Sequence, residues 1–116
     1  MEDLTERTFR FAGRIIRLCR SLDDLAGVYW VVSRQLAKSG TSVGANIEEA
    51  QGAQSRADFN AKMYIALKES RETLYWLRLL IESELVPADQ LRELTEESDQ
   101  LVRILTAITK KTRKAK

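Results

Sequence analysis

The sequence predicts an all-α protein, four amphipathic helices packed as an antiparallel up-down-up-down four-helix bundle. Three observations carry this. Apolar residues recur at steps of three and four along nearly the whole chain. Strand-type alternation and the turn dipeptides that join strands are absent. The single proline, Pro87, stands between two such stripes, where it closes one helix and can open the next. Short connections make consecutive helices antiparallel neighbours. The helices are expected at 3–21, 24–52, 55–85 and 87–110, in one domain spanning 1–109, with a disordered basic tail at 110–116.

The first helix opens on Asp3, followed by Glu6 at capping-box spacing. Phe11, Ala12, Ile15, Ile16, Cys19 and Leu22 form its apolar face. Leu22 to Leu25 reads as a turn in which Asp23 or Asp24 caps the second helix. That helix carries Leu25, Val28, Val32, Leu36, Ser39, Val43, Ile47 and Ala50 in one stripe. The stripe passes through Gly40 and Gly44 without a break, so the glycines mark close helix approach and not a phosphate-binding loop. Ser55 and Asp58 cap the third helix, whose stripe is Phe59, Met63, Ala66, Leu67, Ser70, Leu74, Leu77 and Ile81. The fourth carries Leu91, Leu94, Ser98, Leu101, Leu105 and Ile108.

Composition narrows function. With 116 residues, 44% hydrophobic and 31% charged, the chain suits one globular domain. Histidine is absent, which removes Ser-His-Asp and Cys-His catalysis, His-containing zinc sites and Glu-x-x-His di-iron centres. No enzyme activity, cofactor or metal is therefore expected. Glu69 and Glu72 stand one turn apart beside Lys68 and Arg71, and surface ion pairing is the simpler reading. The lone Cys19 and the lack of a signal-type apolar core point to a cytoplasmic protein with no membrane span. Five of the nineteen bases fall in residues 110–116, leaving fourteen bases against seventeen acids, a net of −3, in the body.

The segment Ser42-Val-Gly-Ala-Asn-Ile-Glu-Glu-Ala-Gln-Gly52 resembles the S-I-x-A-N-I-A-E-G signature of the 23S rRNA intervening-sequence protein family. Ile65-Ala-Leu-Lys-Glu-Ser-Arg-Glu-Thr-Leu-Tyr-Trp-Leu77 is similar to that family's second block. The resemblance covers about residues 9–109. One departure is clear: the signature's A-E-G reads Glu48-Glu49-Ala50, with glycine displaced to Gly52. The resemblance implies a left-handed bundle assembled with itself as a homopentamer, without catalytic activity. Some relatives are encoded within 23S rRNA genes, and others are accessory proteins of reverse transcriptases in diversity-generating retroelements, where a basic ring surface binds nucleic acid.

Several side chains are candidates for function. Arg7, Arg10, Arg14, Arg17 and Arg20 share one face of the first helix, suited to phosphates or to inter-subunit ion pairs with the acidic stretch 82–99. Lys110, Lys111, Arg113, Lys114 and Lys116 would add attraction for RNA or DNA. Ser42, Asn46 and Glu49 on one face, with Ser70 and Glu72, are expected to form a polar network that fixes helix register. Trp30 and Trp76, each preceded by a tyrosine, are expected on helix flanks at an oligomer interface. Together these predict a homo-oligomer that binds RNA or DNA non-specifically. The alternative is a scaffold or accessory subunit for another protein, such as a reverse transcriptase, without direct nucleic-acid contact.

Overall fold

The computed structural model describes residues 3–25 and 27–114, except the side chain of Lys114. The described residues form four helices: α1 (Leu4–Asp23), α2 (Val28–Gln51), α3 (Arg56–Glu82) and α4 (Ala88–Lys114). No strand occurs among the described residues. The body measures 46 × 24 × 20 Å.

Asp3 caps α1 as predicted, accepting from the Thr5 backbone N–H at 3.3 Å and from the Thr5 hydroxyl. The α1–α2 turn differs from expectation. Asp23 and Asp24 finish α1 instead of opening α2, and the N–H of Leu25 bonds to the carbonyl of Leu22. The residue before α2 is Gly27 at φ 74°, a conformation that glycine adopts without a Cβ clash, and it offers no side-chain cap. Leu25 and Val28, read as the head of the α2 stripe, are consequently exposed.

α2 runs unbroken through the glycines. A Cβ on Gly40 would stand 2.7 Å from Ile15 Cγ2, and one on Gly44 would stand 3.2 Å from the Thr8 carbonyl oxygen. Only residues without a side chain let α1 and α2 approach this closely. The partners run in opposite senses along the two helices: Cys19 faces Ser33, Ile15 faces Gly40 and Thr8 faces Gly44. Burial pushes the Cys19 thiol's pKa up, and its Sγ donates to the Ser33 carbonyl. It is a small core group, not a reactive one.

Ser55 caps α3 by accepting from the Asp58 N–H at 3.1 Å, as predicted. The helix stops at Glu82, three residues before the expected end. Glu84 adopts φ 59°, and the N–H groups of Glu84 and Leu85 return to the carbonyls of Ile81 and Leu80. That pairing is a left-handed helix stop, built here without the glycine that usually announces one. Leu85 then packs against the core.

Two buried clusters form the core. One gathers Phe11, Ile15, Leu36, Leu77, Leu80 and Leu101, among others; the second gathers Val43, Ile47, Met63, Ala66, Leu67 and Leu105. Along α2 and α3 the buried hydroxyl residues Ser39, Ser70 and Thr73 fall between the two. α2 packs extensively on α1 and α3, and α3 on α4, while α1 and α4 meet sparsely.

α4 extends beyond its expected end. Residues 110–114, read as the start of a disordered tail, continue the helix. Ile108 packs on the second cluster, and the hydroxyls of Thr109 and Thr112 bond back to carbonyls of the preceding turn. Basic side chains at a helix C-terminus also complement its negative end.

Candidate nucleic-acid interface

The five arginines of α1 share a face, but the structure assigns them different work. Arg7 is committed: Nε and Nη2 donate to the two carboxylate oxygens of Glu97, each at 2.7 Å, and Nη2 also donates to Gln100 at 2.8 Å. Donating to the Glu97 carboxylate raises the pKa of the guanidinium further. Arg7 therefore ties α1 to α4 and is not open to a phosphate, contrary to its expected role. Arg14 approaches Glu93 at 4.0 Å. Arg7, Arg10 and Arg14 together line a small cleft of about 350 Å³ whose one carboxylate is Glu97. The acidic face of α4 thus meets this arginine face within one subunit.

Arg17 and Arg20 are exposed and form no ion pair among the described residues. Arg20 joins Arg34 and Lys38 of α2 around a depression of about 500 Å³. Its one carboxylate, Asp23, already accepts the Ser33 hydroxyl at 2.6 Å. Arg34 and Lys38 were not singled out in the sequence, although their spacing of four on one helix was the available signal.

The expected polar network does not form within the subunit. Asn46 Nδ2 donates to the Ser42 carbonyl of its own helix at 2.8 Å, and the Ser70 hydroxyl donates to the Leu67 carbonyl. Glu49 pairs with Lys62 across α2 and α3 at 3.2 Å, and Glu72 is exposed. The buried link between these helices is instead Ser39 to Thr73, hydroxyl to hydroxyl at 3.0 Å. Helix phase explains the difference: Ser42 and Asn46 flank the stripe that holds Ser39 and Val43, so their side chains turn back on their own backbone.

Trp30 is 50% exposed, with Val28 and Val31 exposed beside it and the Arg34 guanidinium 4.8 Å from its ring centroid. Trp76 behaves differently. It is half-buried against the first core cluster, edge-on to an exposed Tyr75 at 5.2 Å. Tyr75, not Trp76, is the outward member of that pair. Lys110, Lys111 and Arg113 are exposed on the last turns of α4; the side chain of Lys114 and the whole of Lys116 lie outside the described residues.

Among the described residues no three His, Cys, Asp or Glu side chains gather as metal ligands, and no helix is long and apolar enough to cross a membrane. Fold and surface together define a helical bundle with basic clefts. The sequence model of the 23S rRNA-intervening sequence protein family matches residues 3–107, and the chain belongs to that family. It is similar to a crystal structure from Bacteroides thetaiotaomicron, a protein of unknown function from the S23 ribosomal protein family. The two share 42% identity over 93% of this chain and 99% of the other, with a TM-score of 0.85. No curated protein matches the chain.

Proposed function

We propose that this protein is a non-enzymatic, cytoplasmic, homo-oligomeric bundle that binds RNA or DNA without sequence preference through a basic surface. The observation that supports it is the α1–α2 depression, where exposed Arg20, Arg34 and Lys38 surround one carboxylate already engaged by Ser33. Arg17 stands one turn before Arg20 on the same helix. Cations held this way favour phosphate, and phosphate contacts position a nucleic acid without reading its sequence. Self-assembly of the left-handed bundle into a pentameric ring, as the family resemblance implies, would repeat the depression on every subunit. It would also cover exposed apolar side chains such as Phe9 and Ile16.

The test is fluorescence anisotropy with labelled RNA and DNA over a salt series. Changing Arg17, Arg20, Arg34 and Lys38 to glutamine together should weaken binding to duplex DNA and lower the log–log salt slope by up to about 3 to 4. No binding by the native protein, or binding that the substitutions leave intact, would refute the reading.

A second reading rests on Trp30, Val28 and Val31, exposed within one turn at the start of α2. Under it the protein is an accessory scaffold for another protein, such as a reverse transcriptase. A stoichiometric protein partner that survives nuclease treatment and is lost on Trp30→Glu would favour it.

A further inference from the structure

We propose that the groove between the first half of α3 and the last turns of α4 holds a single-stranded segment of nucleic acid, one base seated beside Tyr64 and Asn60. This rests on the nucleic-acid reading above but uses a different surface. The groove encloses about 590 Å³, in the range of sites that take small organic groups.

Its chemistry is one-sided. Three cations line it, Arg71 from α3 with Lys110 and Arg113 from α4, and no carboxylate does. All three are exposed, and none forms an ion pair among the described residues. Such a lining complements a polyanion.

The cations also have a useful spacing. A separate groove joins Ile81 with the first half of α4, so the end of α4 lies along the beginning of α3. Arg71 is eleven residues along α3 from Asn60, about 16 Å at the helical rise. Lys110 and Arg113 stand at the other end, so positive charge flanks the groove on both sides, as successive phosphates of a strand require.

Between the cations lie groups suited to a base. Both amide atoms of Asn60 are shielded from water and have no hydrogen-bond partner, an uncommon state for a buried amide. Turned out into the groove it lines, that amide would present donor and acceptor side by side, the pattern that pairs with the edge of adenine. Tyr64, 53% exposed, offers a ring face at the groove for stacking. The hydroxyls of Thr106 and Thr109 spend their protons on the carbonyls of Val102 and Leu105, at 2.7 and 2.9 Å. Their oxygens remain as acceptors for sugar hydroxyls or base amino groups. A paired, stacked base cannot reach such groups, whereas an unpaired one can.

The experiment compares an oligoadenylate of about twelve nucleotides, single-stranded and annealed to its complement, by anisotropy. Variants are Tyr64→Ser and the triple Arg71→Gln, Lys110→Gln, Arg113→Gln. Each should weaken single-strand binding at least about tenfold; Tyr64→Ser should leave duplex binding unchanged, and the triple variant should weaken duplex binding less than single-strand binding. The triple variant should also lower the single-strand salt slope by about 2. Single-strand affinity equal to the native protein's, or equal losses for strand and duplex, would overturn the proposal. If only the Arg17, Arg20, Arg34 and Lys38 substitutions matter, the function stands and the groove assignment fails; if the native protein binds neither probe, both fail. A lower solution mass for Tyr64→Ser with single-strand affinity intact would make the groove a subunit contact and overturn the assignment.

Discussion

The hydroxyls of Thr73 and Ser39 meet at 3.0 Å, both side chains buried between the two apolar clusters. Thr73 also reaches the Glu69 carbonyl at 2.8 Å, and each hydroxyl has one proton. The Thr73 proton serves either the Ser39 oxygen or that carbonyl, and the Ser39 hydroxyl also reaches the Leu36 carbonyl at 3.5 Å. Replacing Thr73 with valine leaves the Ser39 hydroxyl only that long contact with the Leu36 carbonyl in the core, at a cost of about 1–3 kcal/mol. The double variant Ser39→Ala, Thr73→Val should cost less than the sum of the singles by about 1 kcal/mol. Urea unfolding of the four proteins in the cycle measures it.

Arg7 and Glu97 form the main polar tie between α1 and α4, with side chains only 23% and 20% exposed. Arg7→Gln should destabilise by about 1.5–3 kcal/mol, because a charged, shielded acceptor loses its donors. Arg14→Gln should cost below about 1 kcal/mol, since Glu93 is 92% exposed and 4.0 Å away. Thermal denaturation of the two variants gives the ranking, and equal losses would contradict it.

Glycine positions separate by what surrounds them. A methyl on Gly40 collides with fully buried Ile15. Overpacking costs about 1–3 kcal/mol, more than the roughly 1 kcal/mol that alanine adds in helix propensity, so Gly40→Ala should lower stability. At Gly13 the nearest atom would be the end of Arg17, at 3.6 Å. Gly13→Ala should therefore stabilise by up to about 1 kcal/mol. Opposite signs in the melting temperature are the expected result.

The N-terminus of α1 should respond to acid. The Thr5 hydroxyl, then its backbone N–H, hold the Asp3 carboxyl below its ordinary 3.8. A depressed folded pKa means the stabilisation is present above 3.8 and is lost as pH falls through the lower, folded value. Asp3→Ala should thus reduce stability near neutrality and make little difference well below 3.8. Melting curves of both proteins across that window would show the gap closing.

The stripes of α1 to α4 were legible because period and burial coincide: Phe11, Ile15, Leu36, Val43, Leu77 and Leu105 are all buried where spacing placed them. Capping at Asp3 and Ser55 was legible for the same reason, since local chemistry alone determines it. Boundaries failed where local signals misled. Asp23 and Asp24 look like caps for α2, yet serve α1, and Glu84 takes a left-handed conformation that its residue type does not announce. Among candidate site residues, type was readable and partnership was not. Arg7 and Arg20 are alike in sequence, and only the approach of α4 distinguishes the paired one from the open one. Asn46 and Ser70 were placed correctly near the stripes, but a hydroxyl or amide on a helix finds its own backbone before it finds a neighbour.

The helical run through Lys114 gives the final cations of the chain a double duty. Lys110, Lys111 and Arg113 lie exposed on the last described turns of α4, where positive charge near a helix C-terminus offsets part of its negative end by about 0.3–1 kcal/mol. A bound phosphate would draw on that same positive charge, so the last turn should fray as a polyanion docks or tighten only if the ligand makes bonds of its own. Neutralising these residues therefore shortens the rod as well as emptying the groove. Tyr64, which belongs to α3 and not to α4, is the substitution that separates recognition from helix length.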